Sequence, residues 1–339
     1  MSQPVSGKDS LLSTWATLAQ DIATSGGHAI VPLHEDSQRV VARAFDISRR
    51  AFDAIDKTKN PCDIVRCICS TDDSAHATGY HPASSSTSMS RYNARREGFV
   101  FSDGNLFSVQ DVDHSGAGVG FGEEFESSMR ALQDCLHKTA NRALQAIEKD
   151  LCLPPRWFQD HLDYEGNHSQ WHIKRYVCDK IPDSVFVNEQ ESVLLPSHTD
   201  PSLLSVVILD QPGVHEGAMG LQVYQNVQGQ NKREWKELSY HGHGVVVIFI
   251  GSVMSVLGGT LFPLAKHRVV QAEGVQKRMA ATFFLRPEGS AQLRVPPSPQ
   301  LKELKPIKKN MTFGGWSSKV SKKYMKQTKK SSNTDSTKY

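Results

Sequence analysis

The chain has 339 residues, of which 38% are apolar and 22% charged, so it can bury the core of one large or two modest domains and is too apolar for a disordered chain. No run approaches 18 consecutive apolar residues, which argues against a membrane-spanning helix. The formal charge of +3 is unevenly spread: residues 302–339 carry eleven lysines against Glu303 and Asp335, leaving the rest of the chain acidic.

In chain order, the first 57 residues read as amphipathic helical pieces. Trp15, Leu18 and Ile22 recur at helical spacing, as do Val40, Val41, Ala44, Phe45, Ile47 and Phe52. Ser25-Gly26-Gly27 breaks this pattern before a short strand-like run, His28 to Val31. Residues 70–98 are polar and Ser-rich and read as a long loop or lid carrying Tyr80, Arg91, Tyr92, Arg95 and Arg96. Gly116 to Gly122 is a glycine-rich loop, but no strand clearly precedes it and no Lys-Ser/Thr follows it, so a nucleotide site is not expected. Residues 123–152 give the clearest helix, with Phe125, Met129, Leu132, Leu136, Ala140, Leu144, Ile147 and Leu151 at steps of three or four, stopped by Pro154-Pro155.

From residue 170 to 287 the texture changes. Short runs rich in Val, Ile, Leu and Phe alternate with turn residues: Trp171 to Val177, Leu203 to Leu209, Leu221 to Tyr224, Val245 to Ile250 and Met279 to Leu285. That pattern predicts a β-sandwich or barrel. A basic helix is expected around Trp316 to Lys330. Its lysines read as a solvated surface rather than a nucleic-acid or membrane contact. Six scattered cysteines, Cys62, Cys67, Cys69, Cys135, Cys152 and Cys178, suggest reduced thiols. The first 21 residues also lack the pattern of a secretory signal. Together these give the expectation of a cytoplasmic protein, working as a monomer.

The chemistry concentrates in two places. Residues two apart on a strand face the same way, so His198 and Asp200 in Pro196-Ser197-His198-Thr199-Asp200-Pro201 can bind one ion together. His267, in Lys266-His267-Arg268-Val269-Val270, could supply a third ligand from a neighbouring strand. Two imidazoles and one carboxylate on one side of an octahedron suit iron(II) and leave three positions open. His241-Gly242-His243 and Asp111-Val112-Asp113-His114 hold ligand types without a partner motif and are not expected to bind metal.

With these segments in order, the chain resembles the isopenicillin N synthase-like branch of the iron(II)/2-oxoglutarate-dependent dioxygenases. The resemblance runs through His198-Thr199-Asp200-Pro201, Gly220 to Val223, Gly244 to Gly251, His267 to Val270 and Arg278 to Pro287. It implies a mainly β fold with helical flanks: a double-stranded β-helix, or jelly roll, preceded by N-terminal helices and followed by the basic C-terminal helix. Residues 1–120 would form the N-terminal region, 121–290 the long helix and catalytic core, and 291–339 the C-terminal helix and lysine-rich tail. The resemblance also implies Fe(II), 2-oxoglutarate and O2, with His198, Asp200 and His267 as the catalytic metal ligands.

The family's Arg-x-Ser motif falls on Arg278-Met279-Ala280, and its Asn-x-Tyr motif on Lys174-Arg175-Tyr176. The resemblance therefore implies that Arg278 and Tyr176 bind the distal carboxylate of the oxoacid, with Ala280 lacking the serine hydroxyl. Lys174 could replace that hydroxyl, meet the metal-bound end of the oxoacid, or face solvent. The implied reaction oxidises an unactivated C–H bond of a small molecule, by hydroxylation, desaturation or ring closure, with succinate and CO2 as co-products. The alternative is an oxidase of the same fold that needs no oxoacid. Substrate contacts are expected from Tyr80, Arg91, Tyr92, Arg95, Arg96, Phe284 and Arg286, with Trp316 or Tyr324 as further candidates. So many arginines suggest an anionic substrate.

Overall fold

The computed structural model describes residues 13–65, 67, 78–83, 95–102, 121–162, 169–177, 193–210, 220–226, 232–238, 244–271 and 277–322. Two antiparallel sheets form the centre. The larger has seven strands in the order β1 (His28–Pro32), β9 (Val245–Ile250), β6 (Leu204–Leu209), β11 (Lys277–Leu285), β4 (Gln170–Val177), β3 (Arg96–Ser102) and β2 (Gly79–His81). The smaller has four: β5 (Val193–His198), β10 (His267–Val270), β7 (Leu221–Asn226) and β8 (Arg233–Glu237).

Strand alternation sorts the residues of the large sheet onto two faces. On one face Ile30, Val207, Leu209, Val247, Phe249 and Ala280 pack with Leu194, Leu195, Leu221, Val223 and Val269 of the small sheet. This is the jelly-roll interior. On the other face Phe99, Phe101, Trp171, Ile173, Ile208, Ile248, Ala281 and Phe283 share a core with the helices. Every residue of β6 and β9 is buried, as a strand covered on both faces must be.

Helix α1 (Leu18–Thr24) precedes α2 (Glu35–Lys57), and α3 (Phe121–Asp150) packs on both. Helix α2 buries Val41, Ala44, Phe45, Ser48, Ala51, Phe52 and Ile55, one stripe at helical spacing, and His34 caps its start by accepting from the Asp36 amide at 3.3 Å. Each such fully buried Phe or Leu side chain contributes roughly 1.5–3 kcal/mol. The short helices α4 (Trp157–Leu162) and α5 (Ser252–Gly258) follow. Residues 313–322 form a final helix, α6; the remainder of the expected basic helix lies outside the described residues.

One expectation changes. The stretch 70–98 is not wholly loop: β2 and the start of β3 fall in it and extend the large sheet. The strand expected from His28 to Val31 is β1, which pairs with β9 from His28↔Phe249 to Pro32↔Val245, so the N-terminal part builds a wall of the core itself. No helix among the described residues is long and apolar enough to cross a membrane. Cys62, Cys67, Cys135 and Cys152 are free thiols.

Candidate metal centre and co-substrate pocket

His198 ends β5 and lies directly across the ladder from His267, the first residue of β10. Directly paired residues share a face, so both imidazoles point to the same side. Their rings sit 4.3 Å apart, and the His267 ring stacks flat on Phe249 of β9 at 4.4 Å with 3° between planes. In each histidine Nδ1 contacts a backbone carbonyl: Pro196 at 2.9 Å for His198, Ala265 at 3.0 Å for His267. This contact sets Nδ1 as the protonated nitrogen and leaves the Nε2 lone pair for a ligand.

Asp200 lies just past the end of β5. Its backbone carbonyl accepts the Ser252 amide at 2.8 Å and the Ser252 hydroxyl at 3.0 Å. Gly251 permits this contact, because a Cβ there would lie 2.0 Å from the Ser202 carbonyl. The carboxylate is buried, with Oδ1 3.6 Å from His198 Nε2 and Oδ2 3.8 Å from His267 Nε2. Oδ2 has no hydrogen-bond partner among the described residues. One ligand atom from each residue falls within 4.8 Å of the others, and theirs is the one such group among the described residues. Burial, and then His267, push the His198 pKa down to about 3, so its imidazole is neutral near pH 7. Two imidazole Nε2 atoms and a stranded carboxylate oxygen facing one point fit a divalent cation.

The residues expected to meet the co-substrate also stand on the interior face. Arg278 of β11 pairs with Tyr176 of β4, and its guanidinium lies over the Tyr176 ring at 4.8 Å. Arg278 is 3% exposed, yet its Nε and Nη1 have no hydrogen-bond partner among the described residues. A buried guanidinium with open donors fits a carboxylate ligand. Lys174 pairs with Ala280 on one side and Gly98 on the other, the two smallest neighbours it could have. A Cβ on Gly98 would come within 2.9 Å of the Lys174 side chain. Lys174 is buried, so the solvent-facing option is excluded, and burial followed by Arg96 pulls its pKa well below the usual lysine value.

The expected substrate contacts divide. Arg96 pairs with Tyr176 on the interior face, and its charge acts on Lys174, His172 and His198. Phe284 meets the His172 ring edge-on at 5.1 Å, also inside. Arg286 has Nη1 on Gln170 Oε1 at 3.1 Å and its guanidinium 5.5 Å from the Phe284 ring. Arg95 donates to the Val193 carbonyl at 2.9 Å, tying β3 to the start of β5. Tyr80 is a correction: it is buried on the helix-facing side, where its hydroxyl donates to Glu97. It faces away from the candidate metal ligands because position 80 has the opposite parity from His81, which pairs with Gly98 on the interior side. Trp316 packs near Phe313 against the helix-side core. Arg91, Tyr92, Tyr324, Asp111, Asp113, His114, His241 and His243 lie outside the described residues.

Several interior residues escaped the sequence reading. His172 and Gln170 precede Lys174 at steps of two on β4, so strand alternation alone could have found them. Ser252 and Phe249 carry no signal short of the fold.

Residues 174–287 match the family model of the 2OG-Fe(II) oxygenase superfamily. No curated protein matches the chain. Among solved structures, a full-length Neurospora crassa protein in complex with alpha-KG is similar at a TM-score of 0.63 and 15% identity, covering 91% of this chain and 89% of that one. The dioxygenase for auxin oxidation (DAO) in rice is similar at 0.59 and 19% identity, covering 89% and 87%. JOX2 in complex with 2OG, Fe and JA is similar at 0.60 and 17% identity, covering 87% and 77%. These likenesses establish the shared fold. The region 174–287, which carries His198, Asp200, His267 and Arg278, is thus similar to the 2OG-Fe(II) oxygenase superfamily, dioxygenase oxidoreductases that work with Fe(II), 2-oxoglutarate and O2.

Proposed function

We propose that the protein oxidises an unactivated C–H bond of a small, anionic molecule, with His198, Asp200 and His267 holding iron(II) and Arg278, Tyr176 and Lys174 holding 2-oxoglutarate. The observation that carries this reading is the buried Asp200 carboxylate, whose Oδ1 lies 3.6 Å from His198 Nε2 and whose Oδ2, without a hydrogen-bond partner among the described residues, lies 3.8 Å from His267 Nε2. When bound, iron(II) and 2-oxoglutarate supply the O2 activation and the oxidising power, with succinate and CO2 as co-products.

The chain's own residues orient and shield. Phe249 holds the His267 ring in one plane, and Ser252 fixes the backbone of Asp200. The Arg278 guanidinium receives the far carboxylate through the donors that lack a partner among the described residues. Lys174 supplies the positive charge beside Ala280, where the serine hydroxyl is missing. Val207, Val247 and Leu209 keep bulk water from the pocket. The three regions 1–120, 121–290 and 291–339 act as parts of one oxygenase fold, in keeping with a cytoplasmic small-molecule enzyme.

The test is an anaerobic titration. Iron(II) and 2-oxoglutarate are added and the weak visible charge-transfer band of an iron-bound oxoacid is recorded. We expect the band in the parent and its loss in Asp200→Ala and Arg278→Ala. Iron binding without a band defeats the oxoacid reading and favours the oxoacid-independent oxidase, for which Ala280 already argues.

A further inference from the structure

We propose that Arg286 is the anchor for a carboxylate of the prime substrate, separate from the cation that receives 2-oxoglutarate. The inference rests on the oxygenase reading above and narrows its substrate to a small organic carboxylate whose apolar body lies against Phe284 and His172.

Charge balance is the first argument. Among the described residues, the buried charges on the interior face are Lys174, Arg278 and the carboxylate of Asp200, with the guanidinium of Arg286 beside them. Iron(II) and the 2-oxoglutarate dianion cancel each other, so they leave this excess untouched. Buried cations without counter-charges are costly, which favours a further anion in the cavity.

Position is the second. Arg278 and Arg286 are eight residues apart with the same parity, about 26 Å along an extended strand. A five-carbon diacid cannot reach from one to the other, even with both side chains leaning inward. Arg278 stands beside Tyr176. Arg286 stands at the metal end, close enough to Asp200 for its charge to be felt there.

Preparation is the third. Gln170 Oε1 accepts from Nη1 at 3.1 Å, and the Ser169 hydroxyl accepts from the Arg286 amide at 3.2 Å. These contacts fix the side chain while its Nε stays buried with no partner among the described residues. Burial also lowers the guanidinium pKa to about 10, the mark of a charge short of counter-charge. A guanidinium held on one edge and open on another is built to take an incoming oxyanion. Phe284 beneath it and His172 edge-on to Phe284 offer an aromatic wall for the rest of the ligand.

The test uses the whole chain loaded with manganese(II), so that no turnover occurs. Calorimetry compares benzoate, phenylacetate and cyclohexylacetate with the matching alcohols, with and without 2-oxoglutarate. We expect at least one carboxylate to bind tenfold or more tightly than its alcohol. Arg286→Gln should erase that preference and leave 2-oxoglutarate affinity within twofold, and Arg286→Lys should keep part of it. Gln170→Glu, which places an internal carboxylate on the guanidinium, should also erase it, and serves if Arg286→Gln fails to fold. The proposal is overturned if the parent shows no carboxylate preference, if the preference survives in both Arg286→Gln and Gln170→Glu, or if Arg286→Gln loses 2-oxoglutarate. Failure of the parent to bind 2-oxoglutarate counts against the oxygenase reading instead, because the carboxylate preference is read from the metal-loaded protein alone.

Discussion

Lys174 shows how far a single side chain can work against the fold that carries it. Its ammonium is taken out of water on a strand whose neighbours, Gly98 and Ala280, leave room for its stem. Replacing a buried charge by an apolar group of similar size is often stabilising by about 1–4 kcal/mol. Lys174→Met is therefore expected to raise the melting temperature of the ligand-free protein by several degrees while weakening 2-oxoglutarate binding more than tenfold. A thermal scan paired with calorimetry checks both, and a lowered melting temperature would show that Lys174 is structural. At this scale the sequence was informative where residue type and spacing determine chemistry: His198, Asp200 and His267 converge as their positions suggest. It misled at Tyr80, because an aromatic in an apparent loop has no face until its strand is known. The importance of Gly98 was invisible for a related reason, since its contact is with a residue 76 positions away.

Arg175 works between elements. From β4 it donates to Asp56 of α2 at 2.8 and 2.6 Å and to Glu97 of β3 at 3.0 and 2.7 Å, and it lies over the Phe52 ring at 4.6 Å. Tyr80 of β2 adds its hydroxyl to the same Glu97. One helix and three strands thus meet at a buried ion pair on the far side of the sheet from the candidate metal ligands. Breaking such a pair leaves an uncompensated charge and costs roughly 3–5 kcal/mol. Arg175→Met is expected to lose stability on that order in denaturant unfolding, and adding Glu97→Gln should restore part of it. If the double variant is as unstable as the sum of the singles, the pair is not coupled. Elements with strong periodicity were legible. Val245–Ile250 has the bounds its apolar run suggests, and α3 lies within two residues of its reading. Arg233–Glu237 was not legible, because an exposed edge strand needs no apolar alternation. β2 and β3 were hidden by the polar sequence around them.

The whole molecule holds several imidazoles out of water. Burial pushes His198 down to about 3; burial, and then Lys236, push His28 down to about 4; and burial followed by Lys174 holds His172 well below its usual value. The unfolded chain takes up protons near pH 6.5 and the folded one does not, so stability is retained above that pH and lost as pH falls from about 6.5 towards 4. Each group contributes up to about 1.4 kcal/mol per pH unit within its window. Urea midpoints of the metal-free protein should therefore drop from pH 7.5 to 6 and again to 5; equal midpoints would rule the linkage out. The pairing of β1 with β9 has a consequence in time. His28 and Phe249 are neighbours in the sheet but more than two hundred residues apart in the chain. At translation speeds of about 5–20 residues per second, the first strand waits about 10–40 s for its partner to be synthesised. During that interval an apolar segment is without its sheet, so this enzyme's yield in a cell should depend on what shelters its first fifty residues at the ribosome.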